Sequence, residues 1–156
     1  MRLAIRLGTL LAAPLALGVL HAAPVPKDTR TPAQIELGRL EGTWRVTSFR
    51  VGGVDLPRGG EELVLTVKGG EFAWANGRGH GGKIARIDPT KNPKEVDYSF
   101  SDGPDAGKVL KAVYKLDGDT FTDCFGAAGA DRPTAFESTK ENGLYVLTYT
   151  RIRAKN

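Results

Sequence analysis

The side chains that could do chemistry are few in this sequence, and they stand apart from one another. His80 lies in the glycine-rich stretch Asn76–Gly82, and Cys124 is the single cysteine of 156 residues. A nucleophilic triad or a zinc site needs a histidine held close to further ligands. The second histidine, His21, falls in an N-terminal leader, so His80 would have to act from a loop that orients a base poorly. The sequence therefore predicts an exposed loop histidine, no catalytic residue, no metal site and no cofactor.

Two other features of the sequence were weighed as binding sites. The stretch Gly103–Lys108 (GPDAGK) has some elements of a phosphate-binding loop, but it lacks the four-residue spacer and the following Ser or Thr. It also precedes a predicted strand rather than a helix. Asp102 and Asp105 could contact a calcium ion, yet the ligand spacing of an EF-hand loop is absent. The sequence favours a plain turn between strands here.

The N-terminus has the layout of a secretory signal peptide. Arg2 and Arg6 form a positive region, the apolar run Leu7–Leu20 follows, and small residues come next at Ala22. The apolar run, about 14 residues, is short for a membrane span. We therefore expect a leader over residues 1–22 and an exported protein, periplasmic or extracellular. An uncleaved N-terminal anchor is the alternative.

The remainder of the chain predicts a linker over residues 23–30 and one domain over residues 31–156. Removal of the leader takes away two of the 22 basic residues, which leaves a net charge of +2 against 18 acidic residues. Because the basic residues are scattered, no nucleic-acid surface is expected. No membrane span is expected after the leader either. Cys124, without a partner for a disulfide, is expected to be a small buried residue.

Repeated turn signals predict an all-β domain. The chain has 20 glycines and 9 prolines, and apolar alternation is interrupted at Gly52-Gly53, Gly69-Gly70 and Asp117-Gly118. A capping box formed by Thr31 and Gln34 predicts one short helix before the strands. About eight strands are predicted, over residues 43–51, 61–68, 71–75, 83–88, 95–101, 108–116, 120–125 and 144–153. Their short connections predict antiparallel pairing in an up-and-down barrel, which removes exposed edges, with a sandwich as the alternative.

Five short motifs are distributed over the predicted domain. They are Leu40–Trp44 (LEGTW), Ile87–Pro89 (IDP) with Pro93-Lys94, Gly103–Asp105 (GPD) with Gly107-Lys108, Tyr114–Asp119 (YKLDGD) and Arg132–Phe136 (RPTAF). Together they resemble a family of uncharacterised exported bacterial proteins with a lipocalin-like domain, of a planctomycete type. The resemblance covers residues 37–153. It implies a lipocalin-like barrel and an exported location, and it implies no activity.

The triplet Gly42-Thr43-Trp44 is also similar to the Gly-x-Trp signature at the first strand of lipocalins proper. This similarity implies that an arginine near the end of the barrel stacks on Trp44 and closes one end, and Arg151 and Arg153 are the candidates. A guanidinium over an indole face contributes about 0.5–2 kcal/mol. The triplet Thr122-Asp123-Cys124 lies inside a predicted strand, so its similarity to a lipocalin turn is treated as chance.

Aromatic residues on the predicted strands could contact a ligand or simply fill the core. An eight-stranded barrel has room for one small ligand or for side chains alone, and both interpretations stay open. An arginine in the last long connection could face an anionic ligand at the barrel mouth, or it could tie its loop to a carbonyl or carboxylate, which the sequence favours. The candidate ligand-binding residues are Trp44, Phe72, Trp74, Tyr98, Tyr114 and Arg132.

These observations predict a non-enzymatic binding protein that holds a small apolar ligand inside the barrel. The alternative is a protein-interaction or inhibitor-type barrel that contacts an envelope protein through a rim loop, Asn76–Gly82 or Gly126–Thr139. A cavity of a few hundred Å³ is expected if the first prediction holds.

Overall fold

The structure is a computed structural model that describes residues 28–57, 62–75 and 80–153. The predicted leader, residues 1–22, and most of the predicted linker lie outside the described residues. The described elements are α1 (Pro32–Leu40), β1 (Gly42–Val51), β2 (Val54–Asp55), β3 (Val64–Lys68), β4 (Glu71–Trp74), β5 (Gly81–Asp88), β6 (Lys94–Phe100), β7 (Val109–Asp117), β8 (Thr120–Phe125) and β9 (Tyr145–Ile152).

Helix α1 begins as its sequence predicts. The Thr31 hydroxyl accepts a hydrogen bond from the Gln34 backbone N–H at 3.2 Å, and the Gln34 side chain accepts one from the Thr31 backbone N–H at 2.8 Å. Pro32 occupies the first helical position, where its missing N–H leaves no hydrogen bond unmade. The helix ends at Leu40, and Gly42 begins the first strand after a single intervening residue. The short connection places α1 across one end of the sheet.

Eight strands close into an antiparallel up-and-down barrel, which confirms the predicted fold class. Neighbours follow chain order from β3 to β9, and β1 pairs with both β3 and β9, so that the sheet closes on itself. The extra strand β2 pairs only with the end of β1, through Val51 and Val54. It follows the tight turn at Gly52 and Gly53, both of which have positive φ. Two residues are too few to show an alternating pattern, and so the sequence did not predict β2.

The two ends of the barrel differ. Antiparallel strands place successive connections at alternate ends. One end, called the closed end, carries α1 and the short turns at 69–70 and 118–119. The other, called the open end, carries the longer connections 101–108 and 126–144. The most deeply buried large side chains, which include Trp44, Tyr114 and Phe121, fill the closed half.

The connection 126–144 covers the outer face of the barrel rather than extending from it. The neighbours of Val113 on β7 and of Cys124 on β8 face the interior, so alternation places these two side chains on the outer face. Both are nevertheless buried, because the connection covers them. The Ser138 hydroxyl accepts a hydrogen bond from the Gly53 backbone N–H at 3.1 Å and donates one to the Leu144 carbonyl at 2.7 Å. Cys124 is therefore a small buried residue, as its sequence context predicts, and it lies beneath this connection.

Gly82 lies where β5 approaches β6 most closely. A Cβ added at Gly82 would lie 2.0 Å from the Ser99 carbonyl oxygen and 2.9 Å from its carbon, so the backbone of β6 would have to shift. We expect Gly82→Ala to lower the free energy of unfolding by at least about 2 kcal/mol. The measurement is urea denaturation followed by circular dichroism.

The matched control is Gly38→Ala in α1. A Cβ at Gly38 meets no atom within 4 Å, and alanine is the better helix former. We expect this variant to raise the free energy of unfolding by about 0.5–1 kcal/mol. Equal effects of the two alanines would contradict the close approach of β5 and β6.

Candidate functional site

A cavity of about 440 Å³ occupies the open half of the barrel interior. Side chains at alternate positions of a strand point to the same face, and the wall contains such pairs, for example Asp123 and Phe125 on β8. The volume lies within the range of small-molecule binding sites, about 300–1,000 Å³. It also matches the few hundred Å³ that the sequence led us to expect for a ligand-binding barrel.

Aromatic rings form one wall of the cavity. The ring centroid of Phe72 on β4 lies 5.4 Å from that of Tyr98 and 5.5 Å from that of Phe100, both on β6, in edge-to-face arrangements. Trp74 on β4 lies 6.0 Å from Tyr149 on β9. These rings present large apolar surfaces with fixed orientation, which suits contact with the body of a small organic molecule.

A carboxyl group faces the same cavity. Asp123 on β8 is 3% exposed and occupies the inward position between Phe121 and Phe125. The Tyr98 hydroxyl donates a hydrogen bond to Asp123 Oδ2 at 3.2 Å, and the Tyr149 hydroxyl donates one to Asp123 Oδ1 at 3.3 Å. Because a carboxylate can accept about four hydrogen bonds, these two donors leave acceptor capacity unused.

The protonation of Asp123 is set by its surroundings. Burial raises the pKa of Asp123 to about 7, although the hydrogen bonds from Tyr98 and Tyr149 act in the opposite direction. Burial, with the nearby charge of Asp123, raises the pKa values of both phenols well above their usual range. The cavity therefore contains an acid that changes charge near neutral pH while its two partners remain hydroxyl donors.

Polar residues surround the mouth of the cavity. His80 precedes β5 and packs edge-on against Phe100, with ring centroids 6.4 Å apart. It is partly buried, in contrast to the exposed histidine that its loop sequence predicts, because the 101–108 connection folds over it. Gly103 in that connection has a φ of +73°, and a Cβ there would lie 2.0 Å from His80 Nδ1. Beside it, Lys108 Nζ and Asp105 Oδ1 form an ion pair at 3.0 Å.

The closed end is sealed around Trp44. This side chain is fully buried, and its Nε1 donates a hydrogen bond to the Leu40 carbonyl at 2.8 Å. The guanidinium carbon of Arg151 lies 4.0 Å from the Trp44 ring centroid, and the same group donates hydrogen bonds to the Arg39 and Glu41 carbonyls. Arg151 thus joins the end of α1 to the barrel.

Position 42 requires glycine because the Arg151 side chain lies against it. A Cβ at Gly42 would lie 2.8 Å from Arg151 Nη1, and the φ of +124° is one that L side chains rarely adopt.

Arg153, the second candidate for stacking on Trp44, instead pairs with Asp119 at the surface, with its Nε 2.8 Å from Oδ2.

A second carboxylate, that of Glu36, fixes α1 to the closed end. Glu36 is 3% exposed and accepts hydrogen bonds from Lys94 Nζ at 2.5 Å and from the Tyr114 hydroxyl at 3.2 Å, while Arg39 pairs with it at 3.0 Å. Burial raises the pKa of Glu36, but the hydrogen bond and charge of Lys94, with Arg39 and Tyr114, outweigh it, so the net pKa is lowered. This carboxylate is therefore a charged structural group at neutral pH.

Arg132 lies outside the barrel. Its Nη1 donates hydrogen bonds to the Ala112 carbonyl at 2.6 Å and the Val96 carbonyl at 3.0 Å, and its Nη2 lies 2.5 Å from Asp97 Oδ1. The guanidinium is thereby tied to β6 and β7, as in the structural interpretation that the sequence favoured. It does not line the cavity, since the connection 126–144 carries it over the outer face.

Comparison of the chain with protein-family models, with curated proteins and with solved structures finds no match. Among the described residues, no helix has the length and apolar character needed to cross a membrane. Within the same residues, no three His, Cys, Asp or Glu side chains are grouped as metal ligands.

The structure separates the six candidate ligand-binding residues into three places. Phe72, Trp74 and Tyr98 line the cavity. Trp44 and Tyr114 pack in the closed end, because their strands place them on the side of α1. Arg132 is on the outer face.

Sequence reasoning missed two residues of the site, Asp123 and Tyr149. Asp123 could have been found from alternation along β8, since it is two residues from both Phe121 and Phe125 and shares their inward side. An acidic residue on an apolar strand face is uncommon, because its burial costs free energy unless it is hydrogen-bonded. Tyr149 shares the inward side of β9 with Leu147 in the same way.

Proposed function

We propose that this protein binds a small, largely apolar molecule in the cavity at the open end of its barrel. The observation that carries the proposal is the cavity itself, about 440 Å³ in volume and walled by aromatic rings. A barrel that served only as a rigid scaffold would gain stability if these side chains packed against one another, because unfilled space forfeits contacts. The open space faces the end that carries the long connections, through which a ligand can enter.

The proposal includes a lipocalin-like ancestry and an exported location. In support, the Gly42-Thr43-Trp44 triplet begins β1 beneath the guanidinium of Arg151, the arrangement that the sequence similarity implies. The N-terminal sequence pattern supports export. A small-molecule carrier outside the cytoplasm would combine both features.

The proposed role is binding without turnover. Cys124, the one thiol in the chain, points away from the cavity and is covered by the connection 126–144. Burial, with the charge of Asp123, raises the pKa of the Cys124 thiol to about 11, which keeps it in the unreactive protonated form. The polar groups that do face the cavity are suited to orient a ligand.

The rim-loop alternative receives less support from the described contacts. The connection 126–144 is held to the barrel by Arg132 and by Ser138, whose hydroxyl contacts two segments of backbone. Because these contacts hold the connection against the barrel wall, it does not project from the rim as a free loop. The other rim loop, 76–82, has residues 76–79 outside the described part of the chain.

A neutral solvatochromic dye such as prodan tests the cavity directly. We expect wild-type protein to shift the dye emission to shorter wavelength and to transfer energy from tryptophan, because Trp74 lies in the cavity wall. Ala128 also lines the cavity, and Ala128→Phe would fill part of it. We expect this variant to bind the dye at least about tenfold more weakly.

The matched control is Ala130→Phe, the same substitution two residues further along the connection. Ala130 is exposed and does not line the cavity, so its affinity for the dye should equal that of the wild type. A dye that binds both variants equally would place it on the surface. The absence of any binding, confirmed by native mass spectrometry, would refute the proposed function.

A further inference from the structure

Asp123 is the buried acid of the cavity. Glu36, the other buried carboxyl among the described residues, contacts Lys94, and the half-buried Asp97 contacts Arg132. Asp123 accepts hydrogen bonds from two tyrosine hydroxyls and from its own backbone N–H, and among the described residues it forms no ion pair. A buried carboxyl that is neither paired nor fully hydrogen-bonded is unfavourable for folding, and such groups occur where a ligand completes them.

From this geometry we infer that the cavity selects a small molecule with an apolar or aromatic body and one protonated amino group, which Asp123 binds as its counter-ion. The inference rests on the proposed function and names its ligand class. The amino nitrogen would take the acceptor positions on Asp123 that Tyr98 and Tyr149 leave free, while the body of the molecule fills the space towards the open end.

The aromatic wall favours the same ligand class. Tyr149 contacts the carboxyl and packs against Trp74, and Tyr98 contacts the carboxyl and packs against Phe72. The face of an aromatic ring carries negative electrostatic potential and attracts a cation within about 6 Å. A carboxylate among such faces makes this part of the cavity attractive to a cation and repulsive to an anion.

The charged residues that the structure describes at the mouth offset one another. Lys108 is the lysine that lines the cavity, and its ammonium is paired with Asp105 at 3.0 Å. The two charges cancel at a distance, so Asp123 determines the sign of the field in the cavity. An anionic ligand would have to approach Asp123 with no unpaired lysine or arginine among the described lining residues to offset the repulsion.

Binding of the amine would also change the protonation of Asp123. Burial raises the pKa of this carboxyl to about 7 in the empty protein, and a bound ammonium lowers it, so a proton is released on binding below pH 7. The titratable groups around it are Tyr98 on β6, Tyr149 on β9, Cys124 on β8, and His80, Asp105 and Lys108 at the mouth.

Three naphthalenes that differ in one substituent provide the test: 1-naphthylmethylamine, 1-naphthalenemethanol and 1-naphthoate. They share a body that the cavity can hold, and they carry a cation, a neutral hydroxyl and an anion. Isothermal titration calorimetry on the wild-type protein at pH 8 is expected to show the amine binding at least about tenfold more tightly than the alcohol, with the acid weakest.

The control variant is Asp123→Asn, which keeps the shape and an acceptor oxygen for the two tyrosines but removes the charge. We expect it to bind the alcohol as the wild type does and to lose the preference for the amine. Thermal unfolding of the variant establishes that it is folded. Equal affinities of all three compounds for the wild type, or an amine preference that survives in Asp123→Asn, would overturn the inference and leave the proposed function intact.

A second readout uses the wild-type protein alone. Titration of the amine at pH 6 in two buffers of different ionisation enthalpy should show release of about one proton per amine bound, and titration of the alcohol should show none. Release that persists in Asp123→Asn would show that another group loses the proton and would contradict the inference. If none of the three compounds binds at any pH, the cavity-binding function fails, and the amine preference fails with it.

Discussion

At pH 8, Asp123→Asn is expected to be more stable than the wild-type protein by about 4 kcal/mol, whereas at pH 4 the two should be about equal. Burial raises the pKa of Asp123 from 3.8 to about 7 in the folded protein. The unfolded chain releases this proton near its ordinary pKa, while the folded barrel retains it up to about pH 7. The stability that the wild-type protein has with Asp123 protonated is therefore fully present below pH 4. It is lost as pH rises through 7, at 1.36 kcal/mol for each unit by which the two pKa values differ.

Guanidinium denaturation of both proteins from pH 4 to pH 8 measures this difference. Glu36 has a lowered pKa and acts in the opposite sense, since its contribution grows as pH rises. It is present in both proteins, as is His80, so the difference between the two curves isolates Asp123. A difference that does not change with pH would show that Asp123 has an ordinary pKa in the folded state.

Trp44→Ala is expected to lower the free energy of unfolding by about 3–5 kcal/mol, the usual cost of removing a large buried aromatic side chain. Trp44 is fully buried and packs against Phe121, with ring centroids 5.8 Å apart. Its loss would also remove the hydrogen bond to the Leu40 carbonyl and the surface on which Arg151 lies. Chemical denaturation followed by far-ultraviolet circular dichroism gives the value.

The other tryptophan of the chain supplies the control. Trp74 is only partly buried and borders open space, so Trp74→Ala should cost about 1–2 kcal/mol and should weaken dye binding. Trp44→Ala, in conditions where it is folded, should leave dye affinity unchanged because Trp44 does not line the cavity. Equal losses of stability in the two variants would contradict the assignment of the closed end.

Most strands could be predicted because their signals are local. Alternation of apolar and polar residues identifies β7 and β9, and the Asp117-Gly118 turn fixes where β7 ends. The start of β5 was placed two residues late, at Lys83, since Gly81 and Gly82 have no side chains from which alternation can be recognised. Position 82 requires glycine because the backbone of β6 lies too close to leave room for a Cβ. This closeness is visible only in the packed sheet.

The candidate site could be predicted in part. Parity along a strand identifies which residues point inward, but it does not say how far along the barrel axis each one lies. Tyr98 and Tyr114 both point inward, yet Tyr98 lines the cavity and Tyr114 contacts Glu36 on α1. Height along the barrel depends on the register of every strand between them, and register is a property of the closed sheet.

The sequence by itself determined most of the secondary structure, the capping of α1, the antiparallel order of the strands and the position of Trp44 at the start of the first one. Each of these depends on neighbouring residues or on short connections. Arg151 and Arg153 fall on the same side of the predicted strand 144–153, so alternation along the strand could not distinguish them. The pairing of Trp44 with Arg151 across β1 and β9 decided between them. Tertiary structure alone also brought two tyrosines from different strands to Asp123 and left a cavity beside them, because such contacts join residues far apart in the chain.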